Sequence, residues 1–176
     1  EGTAIMTESC IINNNRNPGR NKQEIEAELK HLLGLKKIIW LKGVKGKDIT
    51  DGHTDFYARF VRPGIVVVSR EIDSSSYDYQ ITRDNIETLK NATDAKGRAL
   101  QLHIIDTPWE INTQYGVENF AAGYIGYYVC NNAVIMQAFG DKQADRQALK
   151  TIEKLFPNRT IEQLRIDGIA SGGGSI

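Results

Sequence analysis

Short apolar runs alternate with amphipathic stretches along the chain, and from residue 56 they follow a repeating order. Two apolar runs joined by a turn ("FYARFV", "RPG", "IVVVSR") precede a helical pattern near "TRDNIETLKNA" and a further run, "ALQLHII". The order recurs from residue 122 as "AGYIGYYVC", the turn "NN", "AVIMQAF", "DKQADRQALKTIEKLF" and "IEQLRI". Short β-branched runs favour strands, and apolar positions three and four apart favour helices. Each unit is therefore predicted to be strand, strand, helix, strand.

The N-terminal stretch has the pattern of the last three elements of such a unit. It reads as strand "TAIMTESCII", a turn within "NNNRNPGRN", helix "KQEIEAELKHLL" and strand "KKIIWL". Asn21 is the predicted N-cap of this helix, Glu24 its capping-box partner and Gly34 its C-terminal stop. The predicted apolar face consists of Ile25, Leu29, Leu32 and Leu33. In the last unit, Asp141 is the predicted helix cap.

The two complete units are 68 residues apart, measured between the hairpin turns near residues 63 and 131. A repeat of about this length indicates modules that bury their faces against their neighbours. We predict one domain with a module tail at about 1–50, modules at about 54–106 and 120–167, and a glycine-rich segment at 168–176.

In every copy, the strand after the helix runs into a polar or glycine-rich segment. These segments are "KGVKGKDITDGHTD", "DTPWEINTQYGVEN" and "DGIASGGGSI". If the modules are related by rotation about an axis, the three segments gather at one end of it. We therefore predict a site at that end, built from several modules.

Composition and charge narrow the class of partner. The chain has 22 basic and 22 acidic residues and no Lys/Arg-rich run, which argues against a nucleic-acid partner. No apolar stretch approaches the roughly 18 residues that cross a bilayer, so no membrane partner is expected. Cys10 and Cys130 both lie in apolar runs, which predicts buried core thiols. A cytoplasmic location is favoured, and the sequons at Asn91 and Asn158 leave secretion open.

Candidate chemistry lies in "TDGHTDF", where Asp51, His53 and Asp55 occupy every second position. If this stretch is extended, the three side chains leave one face of a strand. Two carboxylates and an imidazole on one surface suit a metal ion or a cationic substrate. A polar turn between strands is the third interpretation.

Several motifs together resemble the agmatine deiminase and bacterial-type peptidylarginine deiminase family. They are "NRNP", "DGHTDFYARF", "FGD", "FPNR" and "SGGGSI", and their order and spacing also match. The resemblance implies an α/β fold of the pentein type, in which five ββαβ modules surround a pseudo-fivefold axis. It covers the chain from end to end, but 176 residues span only about half of that fold. The chain is therefore expected to be a fragment, completed by the missing half or by a homo-oligomer.

The resemblance also implies a reaction and assigns residues to it. Family members use a cysteine thiolate, a histidine and acidic residues to hydrolyse a guanidinium group to a ureido product and ammonia, without metal or organic cofactor. His53 corresponds to the catalytic histidine, and Asp55 to a catalytic carboxylate that binds the guanidinium. Asp51 either contacts substrate and orients His53 or caps the turn. Agmatine, in polyamine biosynthesis towards putrescine, is slightly favoured over peptidyl-arginine as substrate.

The nucleophile is expected outside the chain, because in the family a histidine and the catalytic cysteine follow the stretch that resembles "SGGGSI". Cys10 and Cys130 match no such position, so the isolated chain is expected to be inactive. The family's Ser-Tyr-x-Asn pattern reads Gly123-Tyr-x-Gly126 here, and loss of the asparagine amide is expected to widen the substrate pocket.

Three aromatic residues are further candidates for contacts to substrate. Tyr124 keeps its place in the family's pattern, although a core role is the stronger interpretation of a hairpin tyrosine. Trp109 and Tyr115, in "PWEINTQYGVEN", are candidate walls for an aliphatic tail.

Two other classes of function remain open at this point. A pentein-like binding or structural protein is suggested by Gly126 and opposed by the intact "DGHTD". A non-heme iron oxygenase would use His53, Asp55 and His103 as a two-histidine, one-carboxylate triad. The predicted order of ββαβ elements argues against an oxygenase, because that triad usually lies on an all-β jelly roll.

Overall fold

The computed structural model describes residues 2–116 and 119–176 and contains three small sheets. The first sheet pairs two parallel strands, which are joined through two helices. Its elements are β1 (Thr3–Thr7), α1 (Glu8–Ile11), α2 (Lys22–Leu33) and β2 (Lys37–Leu41). The capping box of Asn21 and Glu24 and the left-handed Gly34 bound α2, which confirms the predicted helix ends.

The second and third sheets share one topology, an antiparallel hairpin followed by a helix and a parallel strand. The second consists of β3 (Ala58–Arg62), β4 (Ile65–Arg70), α3 (Asp78–Lys90) and β5 (Gln101–Asp106). The third consists of β6 (Tyr128–Val129), β7 (Ala133–Ala138), α4 (Lys142–Leu155) and β8 (Thr160–Arg165), and α5 (Asp167–Ala170) comes after it. The predicted order of strand, strand, helix and strand is confirmed for both units.

Strand β4 lies between the two main hydrophobic clusters. Val66, Val67 and Val68 are fully buried, and successive side chains of a strand point to opposite faces. Val66 and Val68 pack with Leu41 of β2 and with α3, whereas Val67 packs with the core around β7 and α4. This strand therefore joins the first and third sheets into one folded unit.

Two arginines of β3 tie the second sheet to the third. The guanidinium of Arg59 donates to the carbonyls of Ile125, at 2.9 Å, and Tyr127, and it lies 4.4 Å from the centre of the Tyr127 ring. Arg62 donates to the carbonyl of Leu155, at the end of α4, at 2.8 Å. These contacts satisfy carbonyl groups that have no strand or helix partner.

Three predicted elements differ in the structure. The strand predicted over "TAIMTESCII" ends at Thr7, because its partner β2 ends at Leu41 and the chain turns into α1. The strand predicted over "AGYIGYYVC" pairs only over Tyr128–Val129, since Arg59 takes the carbonyls before it. Helix α3 begins at Asp78, four residues before the predicted stretch.

The predicted apolar face of α2 and the predicted cysteine core are only partly formed. Ile25 is buried, but Leu32 and Leu33 are 67% and 60% exposed. Cys10 is buried, whereas Cys130 is half-buried beside the β6–β7 turn.

Asp141 has two roles at the start of α4. One carboxylate oxygen accepts from the backbone amides of Gln143 and Ala144, and the other accepts from those of Trp109 and Glu110. These backbone hydrogen bonds, that of Ala144 foremost, lower the pKa of the Asp141 carboxyl. The predicted helix cap is confirmed, and it also fixes the segment after β5.

We expect Asp141→Ala to lower the free energy of unfolding by about 2 kcal/mol, because it removes a cap and two further acceptor contacts. The matched variant Asn21→Ala removes only the cap of α2 and should cost about 1 kcal/mol. Urea unfolding of both variants measures the difference. Equal losses would show that the contacts to Trp109 and Glu110 contribute nothing.

Candidate active site

Asp48 organises the loop that leads from β2 to His53. Its carboxylate accepts hydrogen bonds from the amide and hydroxyl of Thr50, at 2.6 and 2.7 Å, and from the amide of Gly52. The Thr50 hydroxyl oxygen accepts in turn from the backbone amide of His53, at 3.3 Å. Sequence reasoning missed Asp48, although an aspartate two residues before a threonine is the signal of an Asx turn.

The extended conformation considered for "TDGHTDF" is wrong, because the stretch forms a turn. Asp51 has φ of 61° and Gly52 has φ of 80°, both left-handed, and Thr54–Phe56 is a 3₁₀ helix. A Cβ on Gly52 would lie only 3.0 Å from the Val44 amide nitrogen, so the turn requires glycine.

Asp51 is used by the loop itself. Its carboxylate accepts from the amide of Gly46 at 2.8 Å, and its carbonyl accepts from the hydroxyl of Ser9, on α1. An aspartate tolerates the left-handed conformation better than most residues because its short side chain can bond locally. The geometry therefore favours the turn-capping interpretation of Asp51.

His53 and Asp55 lie together in one turn, two residues apart, which keeps their Cα atoms within about 8 Å. The carbonyl of His53 accepts from the amide of Phe56, so His53 begins the 3₁₀ helix that carries Asp55. The His53 side chain is half-buried, and Asp55 is exposed. Within residues 2–116 and 119–176, no side chain or backbone group hydrogen-bonds to either functional group, so both are available to a ligand.

A cavity of about 200 Å³ adjoins this turn. It is lined by the loop 47–50, by the turn residues Phe56 and Tyr57, by the start of α3, and by 119–123 with Gly173. Tyr57 is buried, and its hydroxyl donates to the carboxylate of Asp78 at 2.8 Å. Burial raises the pKa of Asp78 to about 6.

The three segments predicted to gather at one end do meet there. A Cβ on Gly173, in the glycine-rich segment, would lie 2.9 Å from Cδ1 of Ile49 and 3.5 Å from the carbonyl oxygen of Asn119. The carbonyl of Ala170 also accepts from the amide of Ala121, at 2.8 Å. One residue from each segment thus contributes to a single junction beside the His53 loop.

The three aromatic candidates lie away from this cavity. Tyr124 is 1% exposed, and its hydroxyl donates to Asp145 at 2.9 Å, which places it in the core rather than on a pocket wall. Trp109 and Tyr115 are 67% and 53% exposed and do not line the cavity. Val117 and Glu118 of the same predicted loop lie outside the described residues.

The structure places His103 in β5, paired with Val67 and remote in sequence from the His53 turn. Among the described residues, no group of three or more His, Cys, Asp and Glu side chains is arranged to hold a metal ion. The three sheets with their crossover helices also differ from a jelly roll. The geometry gives no support to the iron-triad interpretation.

Comparison with known proteins identifies the family to which the chain belongs. The profile of the Porphyromonas-type peptidyl-arginine deiminase family matches residues 1–176. The chain belongs to that family. The fold is accordingly the α/β pentein fold, of which the chain forms about half.

Individual family members show the same extent of similarity. A Listeria monocytogenes protein provisionally named agmatine deiminase 1 is 38% identical, over all of this chain and 53% of its own length. The agmatine deiminase of Medicago truncatula is 36% identical, over 52% of its length. The solved agmatine deiminase of Enterococcus faecalis matches all of this chain and 52% of its own, with a TM-score of 0.91 and 32% identity.

This chain therefore spans about half the length of the family members it matches. Within the part of the chain that the structure describes, no helix is both long and apolar enough to cross a membrane.

The buried carboxyl of Asp78 predicts a pH dependence of stability. In the unfolded chain its pKa should return to about 3.9. Between about pH 4 and pH 6 the folded state keeps a proton that the unfolded state has released, so this contribution to stability is present at low pH and is lost as the pH rises towards 6.

We expect Asp78→Asn to flatten this part of the pH profile, because asparagine still accepts from Tyr57 but does not ionise. Urea unfolding at several pH values between about 4 and 7.5 measures the slope. Asp84→Asn, which changes an exposed carboxylate of the same helix, should keep the wild-type profile. A wild-type slope in Asp78→Asn would contradict the assignment.

Proposed function

We propose that this chain carries the histidine and a substrate carboxylate of an enzyme that hydrolyses a guanidinium group to a ureido product and ammonia. Membership of the family and the names of its agmatine deiminases support this class of reaction. The observation that carries the proposal is the turn in which His53 and Asp55 lie together without partners among the described residues.

Asp55 binds the substrate cation. A guanidinium is planar and presents parallel N–H groups, which a carboxylate accepts through two charge-assisted hydrogen bonds. Asp55 is exposed and its carboxylate has no hydrogen-bond partner among the described residues, so its oxygens are not committed to the fold. Asp51 supports the turn and makes no contact with substrate.

His53 transfers protons at the reacting carbon. After a thiolate adds to the guanidinium carbon, a C–N bond breaks and the departing nitrogen takes a proton from the imidazolium. The neutral imidazole then accepts a proton from the water that displaces the thiolate. A group that titrates near neutral pH suits both steps.

The thiolate comes from outside residues 1–176 in this proposal. Cys10 is buried, and the thiol of Cys130 contacts the carbonyl of Ala133 at the β6–β7 turn. Cys10 and Cys130, like His53 and Asp55, do not line the cavity beside this turn, so the exclusion of the two thiols rests on the burial of Cys10 and the contact of Cys130 with Ala133. The tail at about 1–50 and the modules at about 54–106 and 120–167 then form roughly half of the ring.

Agmatine is the proposed substrate, ahead of peptidyl-arginine, because the named relatives are agmatine deiminases. Both substrates present the same guanidinium to Asp55 and differ in the group at the far end of the aliphatic stem, an amine in one and a peptide backbone in the other. Turnover of agmatine and of a peptidyl-arginine by the full-length enzyme, compared as kcat/KM, tests the order.

In the full-length enzyme, we expect Asp55→Asn to reduce kcat/KM for agmatine at least about a hundredfold, because an amide donor replaces one acceptor and the charge is lost. His53→Ala should abolish turnover and leave substrate affinity largely intact, since proton transfer acts on the chemical step.

Asp84→Asn is the matched control and should behave as wild type in turnover. Thermal melts of all variants separate chemistry from folding. Lowered melting temperatures with normal specific activity in Asp55→Asn and His53→Ala would show that the turn is structural only.

The chain 1–176 alone should release no ammonia from agmatine, because this proposal draws the thiolate from outside these residues. Mixing it with the remainder of the polypeptide should restore activity if the two parts associate. Turnover by residues 1–176 alone would require one of its own cysteines as nucleophile, and Cys10→Ser and Cys130→Ser would identify it.

A further inference from the structure

A side chain at Gly126 would fit only if Gln137 or Ser175 moved. Its backbone is not in the left-handed region, so space alone decides whether another residue is tolerated. A Cβ at this position would lie 2.5 Å from Cβ of Ser175, 2.6 Å from Nε2 of Gln137 and 2.7 Å from Oγ of Ser175. The volume beside Gly126 is therefore filled, and the widening expected from loss of the asparagine does not occur.

Gln137 fills that volume from the middle of β7. It is 1% exposed, and Oε1 of its carboxamide has no hydrogen-bond donor among the described residues. A buried acceptor without a donor is destabilising, so a carboxamide that only filled space would be unfavourable here. A methionine or leucine would fill it without this cost.

Ser175 lies on the other side of the same point. It belongs to the glycine-rich segment, which passes Ile49 and Asn119 at Gly173 on its way to position 175. Gln137 and Ser175 are thus neighbours across Gly126, because each has an atom within 3 Å of one position beside that glycine. The carboxamide therefore adjoins the segment whose Gly173 lines the cavity.

We infer that Gln137 is a positioning residue for the deimination site, whose carboxamide occupies the space that Gly126 leaves and holds the glycine-rich segment at Ser175. This inference rests on the proposed function and on the junction at which the glycine-rich segment meets Ile49 and Asn119 beside the cavity. Its polar group, rather than its bulk, sets the alignment of the segment. The effect should therefore appear in the chemical step and not in substrate binding.

The first experiment compares wild type with Gln137→Met in the full-length enzyme, with agmatine as substrate. Methionine keeps most of the volume and removes the amide. We expect kcat to fall about tenfold while KM stays within about twofold, as for loss of a group that aligns the reacting centre without contacting substrate. Gln163→Met is the structural control, because the Gln163 amide donates to the carbonyls of Gln137 and Asp145 without adjoining Gly126. It should lower the melting temperature and leave kcat unchanged.

The second experiment moves the carboxamide from β7 to position 126. Gly126→Asn alone should lower the melting temperature by several degrees and reduce kcat, because its side chain meets Gln137 and Ser175. The double variant Gly126→Asn/Gln137→Ala vacates the space and returns an amide to it. It should recover most of both losses, so that the two changes are strongly non-additive.

Two results would overturn the inference while leaving the proposed function intact: wild-type kcat in Gln137→Met, or additive effects of the two substitutions on melting. If the wild-type enzyme turns over neither agmatine nor peptidyl-arginine, the proposed function fails, and the positioning role fails with it. The melting temperatures of the same variants then report only on the packing around Gly126.

Discussion

The fold depends on the complete burial of one strand from both sides. Val66, Val67 and Val68 of β4 have no exposed surface, and their alternation sends side chains into two separate cores. Burial of each valine side chain stabilises the fold by roughly 1.5 to 3 kcal/mol. Burial of β4 therefore supplies a large fraction of the free energy that holds the sheets together. A polar side chain at any of the three would disrupt the contact of β4 with one neighbouring sheet.

The position of the candidate site depends on the direction of β4 and of its partner strand β3. The chain leaves the first sheet at Leu41 of β2, crosses the Asp48 loop and enters the second sheet at Ala58, directly after the turn with His53 and Asp55. Ser69, near the end of β4, donates to the carbonyl of Tyr57, which fixes that turn to the buried strand. The second sheet thus holds in place the turn that carries the side chains of His53 and Asp55.

Sequence patterns predicted elements whose causes are local and missed those whose causes are distant. The bounds of α2 depend on Asn21, Glu24 and Gly34, all within the helix or next to it, and they were predicted correctly. Strand β6 is short because Arg59, from another sheet, binds the carbonyls that precede it. The local sequence pattern around β6 does not indicate this contact. Likewise, "SGGGSI" pointed to the junction, but the filling of Gly126 by Gln137 requires the packed fold.

The contacts of Arg59 and Arg62 also have a consequence for the order in which the chain folds. They join residues 66, 68 and 93 positions apart, and closing such long loops costs entropy before any contact repays it. Hairpin β3–β4 and helix α4 can form early from local contacts, whereas these three bonds form only after both have docked. We therefore expect the contacts that tie the second sheet to the third to form late in folding.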